Sequence, residues 1–147
     1  MSNTAETAAR TLVPGNLLSL TEGAATSAET LLAKAKAAVT LKVSQDGKIS
    51  AALIEREQFA AHGLSWMATY VEGLRQLAAY AARMTEEGRF GEIEALIVQV
   101  AFGEYLSQMS GGIPMSQGEI VRPQDLGISE ADHAAFHTAD VRALIAA

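Results

Sequence analysis

The sequence predicts an all-α fold, an antiparallel helical bundle with a long central helical hairpin and an irregular C-terminal loop. Apolar residues make up 49% of the 147 residues, aromatic residues only 5%, and there are three prolines. Much of the apolar fraction is alanine, which favours helices because it loses no side-chain entropy there. Helical periodicity then runs from about Ser50 to Glu87, and a second apolar helix follows a short glycine-containing turn.

The first 26 residues are assigned to a mobile lead-in, because residues 1–16 are small and polar and Pro14-Gly15 breaks local order. A first helix is predicted from Ser27, with its apolar stripe running through Leu31 and Ala35. Residues 39–43 alternate as a strand would, but no second alternating run follows for pairing, so the helix is preferred. Residues 45–48 (QDGK) are the turn that ends it.

The long helix carries two apolar stripes and an opposite polar seam, which predicts a wide buried face. Gly63 and Gly73 are the expected places for a bend or for close packing. The next helix, from about Phe90 to Ser110, is apolar almost all round, which is typical of a central helix packed on several sides. The short turn between the two makes them antiparallel neighbours.

The remaining chain divides into a loop over 113–128 and two short helical segments. The loop contains Pro114, Gly118, Pro123 and Gly127, so it is too irregular for a long helix. Ser129 is expected to cap a helix up to about residue 137, and Thr138 to cap another over 139–147. The bundle module is therefore placed at 27–128, with 129–147 forming short helices or a linker to a catalytic body outside this sequence.

Charge and composition exclude several classes of protein. Lys and Arg total 11 against 17 Asp and Glu, a net charge of −6, whereas nucleic acids and anionic membranes need a basic partner surface. There is no cysteine, and hence no disulfide framework or thiolate chemistry. The first ten residues lack a signal-peptide pattern, and no apolar run is long enough for a bilayer, so the cytoplasm is the expected compartment.

Three groups could carry chemistry, but each has a simpler interpretation. His133 and His137 share a helix face, as two metal-ligating imidazoles would, yet an HExxH context and a third ligand are missing, which favours a solvated face. His62 is interpreted as a satisfied interface histidine. Glu104 could be a buried base, but a structural charge is favoured, paired with one of three arginines: Arg75, Arg83 or Arg122. No catalytic, cofactor-binding or metal-binding residue is therefore assigned.

The densest polar group lies in the loop that follows the third helix. Gly111-Gly112 carries neither a GxGxxG nor a GxxxxGK pattern, so no phosphate-binding loop is indicated. Two interpretations stay open, a loop that closes one end of the bundle and a docking surface for another domain. The second defines a candidate interface that also includes two aromatic residues of the long helix, and its members are Trp66, Tyr70, Met115, Ser116, Gln117, Glu119 and Arg122.

The segment GEYLSQMSGGIPMSQGEIVRP, residues 103–123, resembles the N-terminal extension of a bacterial subgroup of flavin-dependent acyl-CoA dehydrogenases. The resemblance covers residues 27–128. It implies a parent enzyme that holds FAD, oxidises the α,β bond of a branched dicarboxylic acyl-CoA in ethylmalonyl-CoA carbon assimilation, and passes electrons to an electron-transfer flavoprotein. It also implies that the flavin site and catalytic residues lie outside these 147 residues, and that this chain holds no cofactor itself.

The resemblance implies, as partners, the catalytic domains of the same protein or of a sister subunit, and a homo-oligomer. Two rival hypotheses remain from the residues alone. One is a stand-alone amphipathic helical protein that oligomerises or coats an apolar surface. The other is a small enzyme or metal protein that uses His62, His133, His137 or Glu104.

Overall fold

Six α-helices make up most of the chain in a computed structural model, which describes residues 13–116 and 118–147. Two β-hairpins with two-residue strands and one 3-10 helix join them, so the all-α prediction is confirmed. No helix of the described residues is both long and apolar enough to cross a membrane. The helices are α1 (Leu17–Lys42), α2 (Ala51–Arg56), α3 (Gln58–Glu86), α4 (Glu92–Gly111), α5 (Glu130–Phe136) and α6 (Ala139–Ala146).

Helix α1 begins at Leu17, ten residues before the predicted start at Ser27. The lead-in assignment is therefore wrong for residues 17–26, while residues 1–12 lie outside the described part of the chain. The physical reason is that Leu17, Leu20 and Ala24 extend the apolar stripe of the helix and are buried in the core. Leucines separated by small residues make only a weak apolar stripe in the sequence, although these side chains are buried in the fold.

The prediction of a helix and not a strand for residues 39–43 is confirmed, since α1 continues to Lys42. The predicted turn then forms the tip of a hairpin between β1 (Ser44–Gln45) and β2 (Lys48–Ile49). Asp46 and Gly47 have φ angles of 51° and 74°, as the two central residues of a tight hairpin turn require.

The predicted helix from Ser50 to Glu87 is interrupted at Glu57, and α3 continues through both glycines. Buried residues from Ala60 onward hold α3 in the core, whereas α2 has no buried residue and packs against the core only through the partly buried Leu53. Gly63 instead serves close packing, because a Cβ built there would lie 2.5 Å from Cγ2 of Val121. A bend or close packing was predicted for this glycine, and close packing is the role observed.

Helix α3 runs antiparallel to both α1 and α4. Arg75 of α3 pairs with Glu29 of α1 at 2.7 Å, and Tyr70 of α3 meets Gln108 of α4. The α3–α4 turn contains Gly88 at φ 67°, after which the Arg89 N–H donates to the Met84 carbonyl at 2.8 Å. The predicted α3–α4 hairpin is therefore present, but α3 packs more extensively on α1 than on α4.

The segment that follows α4 is more regular than the predicted loop. Strands β3 (Ile113–Pro114) and β4 (Ile120–Val121) pair, and a 3-10 helix (Pro123–Leu126) follows them. Residues 129–147 form α5 and α6, which begin at the predicted caps: the side chains of Ser129 and Thr138 accept backbone hydrogen bonds at their N-termini. These helices pack on α1 and α4 through buried side chains, those of Phe136, Val141 and Leu144.

Candidate interaction surfaces

The predicted interface residues separate into a buried and an exposed set. Tyr70 and Met115 are each 9% exposed and belong to the core, and Trp66 is half-buried against it. Gln117 lies outside the described residues. Ser116, Glu119 and Arg122 are exposed on the β3–β4 hairpin and the residue after it. The structure therefore does not gather the seven residues into one exposed patch.

The β3–β4 hairpin satisfies much of its own backbone. The Met115 N–H donates to the Glu119 carbonyl at 2.9 Å, and the Glu119 N–H donates to the Ser116 carbonyl at 2.8 Å. The Arg122 N–H donates to Oδ2 of Asp125 at 2.8 Å. Because Val121 also packs tightly on Gly63, this segment closes one side of the bundle, which agrees with the first of the two interpretations left open.

Aromatic side chains of α3 form a connected row toward α4. The Trp66 Nε1–H donates to Nε2 of the exposed His62 at 3.0 Å, so this histidine has a hydrogen-bond partner as predicted. Trp66 meets Tyr70 edge-on at 6.5 Å between ring centroids, and Tyr70 stacks on Tyr105 at 4.5 Å. Burial raises the pKa of Tyr70 above its ordinary value, and nearby Tyr105 adds to the rise.

Tyr70→Phe is expected to lower the free energy of unfolding by about 1 kcal/mol, because it removes one buried hydrogen bond and keeps the ring in place. The bond lost is the one that the Tyr70 hydroxyl donates to Oε1 of Gln108 at 2.5 Å. Urea unfolding of the 147-residue chain, followed by circular dichroism, measures the effect. Tyr80→Phe is the matched control, since Tyr80 is only partly buried and donates no hydrogen bond among the described residues. Equal losses for both variants would contradict the assignment.

His133 and His137 hold α5 against the C-terminal end of α4. Nε2 of His133 lies 3.0 Å from the Ser110 carbonyl, and Nδ1 of His137 lies 2.9 Å from the His133 carbonyl. Because carbonyl oxygens only accept, both of these nitrogens are the donors, and Nε2 of His137 lies 2.7 Å from the Ser110 hydroxyl oxygen. The prediction of a solvated face is therefore wrong: both rings are half-buried and structural.

Metal binding by this pair gains no support from its surroundings. Within residues 13–116 and 118–147, no group of three or more His, Cys, Asp or Glu side chains is arranged to hold an ion. Both ring nitrogens of His137 and Nε2 of His133 already have hydrogen-bond partners in the helix ends.

Glu104 is exposed, so the prediction of a buried carboxylate paired with an arginine is wrong. Arg75 instead forms ion pairs with Glu29 at 2.7 Å and Glu72 at 2.6 Å. Gln108, one turn after Glu104, does not face the solvent as Glu104 does, and instead faces Tyr70. The reason is that α4 has one open side, and Glu104 lies on it.

That open side of α4 carries the largest exposed apolar stripe of any helix described. Ile93 is 70% exposed, Val100 61% and Ile97 59%, and their spacing places them on one face with Glu104. We call Ile93, Ile97, Val100 and Glu104 the α4 outer face. The prediction of a central helix packed on several sides is confirmed, since α4 contacts α1, α3 and α6, but this one side stays open. Sequence reasoning could not find it, because α4 is equally apolar in every direction.

A groove of about 210 Å³ adjoins the α4 outer face, between α4 and the end of α6. Gly103 allows the approach of α6, since a Cβ there would lie 3.0 Å from the Leu144 carbonyl. Gln99, which lines the groove, is 7% exposed, and its Oε1 has no hydrogen-bond partner among the described residues. A buried amide oxygen without a partner is uncommon, and it identifies a place where a hydrogen-bond donor would be stabilising.

The Gly111-Gly112 step does not have the geometry of a dinucleotide-binding glycine loop. In such loops the glycines precede a helix, and the pyrophosphate lies against the positive N-terminal end of the helix dipole. The Gly111-Gly112 step instead lies at the C-terminal end of α4, where carbonyl oxygens point outward. Ile120 also fills the space beside Gly112, because a Cβ there would lie 2.5 Å from Cγ2 of Ile120.

No model of a known protein family matches the chain. Over 114 residues, 78% of its length, the chain is 58% identical to a protein of Cereibacter sphaeroides. The match takes in 21% of that relative, so this chain spans about a fifth of the length of the curated protein it matches. The Cereibacter protein is a (2S)-methylsuccinyl-CoA dehydrogenase, so the resemblance drawn from residues 27–128 is confirmed.

Proposed function

We propose that this chain is the N-terminal, non-catalytic helical module of a cytoplasmic acyl-CoA dehydrogenase that acts on (2S)-methylsuccinyl-CoA or a close analogue. The observation that carries the proposal is the 58% identity over 114 residues to a dehydrogenase of that name. The parent enzyme would hold FAD and pass electrons to an electron-transfer flavoprotein. The work of the module would be packing on the catalytic domains or on a sister subunit of a homo-oligomer.

The chemistry of the described residues supports a structural role for the module. Its histidines are engaged in hydrogen bonds, its glycine step is at the wrong end of a helix for a pyrophosphate, and Glu104 lies in solvent. The exposed isoleucine and valine side chains of the α4 outer face suit a protein surface better than water.

A stand-alone helical interaction protein is the second candidate, and the α4 outer face also favours it. The gene sequence downstream of codon 147 distinguishes the two candidates. A reading frame that continues into a dehydrogenase supports the first candidate, and a stop codon supports the second.

A hybrid enzyme tests the proposed function directly. The matching segment of the Cereibacter dehydrogenase is replaced by this chain, and a second variant lacks the segment. The hybrid is expected to purify with bound FAD and to oxidise (2S)-methylsuccinyl-CoA, because the module fits the same catalytic body. The deletion variant is expected to lose yield and thermal stability, since it exposes the surface on which the module packs.

Two results would contradict the proposal. One is a hybrid that has no flavin or activity under conditions in which the natural Cereibacter enzyme has both. The other is a bound-flavin absorbance spectrum from the purified 147-residue chain, which would place cofactor binding in the module itself.

A further inference from the structure

We infer that the α4 outer face and the adjoining α4–α6 groove are the surface by which this chain docks onto the catalytic domains of the dehydrogenase. The docked surface is apolar at its centre, carries Lys or Arg at its edge, and presents an N–H or O–H donor to Gln99. This inference rests on the proposed function, and it adds which face docks and the chemistry of its partner.

The apolar stripe of α4 has the character of an interface centre. Ile93, Ile97 and Val100 rise along one line of α4 over about 10 Å, at 1.5 Å per residue. A helix face that remains in water usually carries charged and amide side chains. Three β-branched apolar residues, each more than half exposed, instead form the centre that protein interfaces bury.

Gln99 supports the same face independently of the stripe. Its side chain lies at the edge of the stripe, beside Val100 and in the groove that Leu144 and Ile145 close from α6. Its Oε1 is shielded from water and has no donor among the described residues. A partner that enters the groove with an N–H or O–H group would satisfy this oxygen and would bury Ile145, which is 37% exposed.

Charge decides which partner fits. Helix α4 carries three glutamates, Glu92, Glu94 and Glu104, and no Lys or Arg. The nearest cation before the helix, Arg89, already pairs with Glu87 at 3.2 Å. A second copy that packed through its own α4 would bring three more carboxylates to the interface. A partner with basic residues around an apolar centre instead complements the charge of the face.

A cysteine placed on the face tests the inference, because the chain has no cysteine of its own. Ile97→Cys is made in the 147-residue chain and in the hybrid enzyme, and maleimide labelling of position 97 is followed by peptide mass spectrometry. Labelling is expected to be roughly tenfold slower or more in the hybrid, because the centre of an interface excludes solvent. Ala37→Cys, at an exposed position of α1, is the matched control and is expected to react at similar rates in both.

The outcomes separate this inference from the proposed function. A hybrid without flavin or activity would contradict the proposed function. An active, flavin-containing hybrid in which the cysteine at position 97 reacts as fast as in the isolated chain overturns the docking inference alone. Slow labelling in the isolated chain, with a dimer in sedimentation, would show that a second copy covers the face and would also overturn it.

Gln99→Met provides a second test, because it is expected not to destabilise the isolated chain but to weaken docking in the hybrid. In the isolated chain it is expected to maintain or raise the urea midpoint, since it removes the unpaired buried oxygen. In the hybrid that carries Ile97→Cys it is expected to make labelling of position 97 faster, because the partner's donor loses its acceptor. A lower midpoint in the isolated chain together with unchanged labelling in the hybrid would show that Gln99 serves the core and not the partner.

Discussion

Phe102→Ala is expected to lower the free energy of unfolding by about 3–5 kcal/mol, the range for removal of a buried aromatic ring. Phe102 is 0% exposed at the middle of α4, in the same core cluster as buried residues of α1, α3 and α6. The lost ring would leave a cavity that rigid helices on several sides cannot close. Urea unfolding of the 147-residue chain, followed by far-ultraviolet circular dichroism, measures the change.

Ile93→Ala is the matched control on the same helix. Ile93 is 70% exposed, so its truncation is expected to change the stability of the isolated chain by no more than about 0.5 kcal/mol. The contrast tests the orientation of α4 as well as the size of the core. Similar losses for the two variants would mean that α4 does not present Phe102 inward and Ile93 outward.

Local features of the sequence predict much of this fold because their causes are local. Ser129 and Thr138 cap helices through hydrogen bonds to backbone groups three residues away. Gly88 ends α3 because it adopts a positive φ angle, and Asp46-Gly47 turns a hairpin for the same reason. Each depends on a few adjacent residues, so the sequence alone is sufficient to place it.

Helix boundaries set by distant contacts could not be predicted in this way. Helix α1 extends back to Leu17 because Leu17 and Leu20 are buried by the rest of the bundle, which the sequence of α1 does not reveal. The break at Glu57 likewise separates the buried stripe of α3 from α2, which has no buried residue and packs against the core only through the partly buried Leu53. Tertiary packing overrides local propensity at both places.

The candidate site likewise combines a feature that the sequence predicts with features that only the fold determines. The resemblance carried by residues 103–123 identified the related enzyme, but the exposed interface residues predicted there lie on a hairpin that closes on itself. The α4 outer face was missed because a helix that is apolar all round has no periodicity to separate its inward side from its outward side. Only the positions of α3 and α6 distinguish buried Phe102 from exposed Ile97.

The contact between Gly63 and Val121 is expected to make Gly63→Ala destabilising, although Ala favours helices by about 1 kcal/mol over Gly. The new methyl group would lie 2.5 Å from Cγ2 of the buried Val121, so α3 or the β3–β4 hairpin would have to shift. Such overpacking costs about 1–3 kcal/mol and exceeds the gain in helix propensity. Gly73→Ala is the matched control, because its methyl group would make only an ordinary contact with Tyr105 at 3.4 Å. That variant is expected to be as stable as the natural chain or up to about 1 kcal/mol more stable.

The double variant Gly63→Ala with Val121→Ala shows whether the effect arises from this contact. Val121→Ala alone removes a side chain that is 1% exposed and is itself destabilising. In the double variant the new methyl group enters the space that the valine leaves. The combined loss is therefore expected to be smaller than the sum of the single losses by about 1 kcal/mol or more, as measured by urea unfolding. Strictly additive losses would show that the hairpin does not rest on Gly63, and the close packing of β4 on α3 would then be wrong.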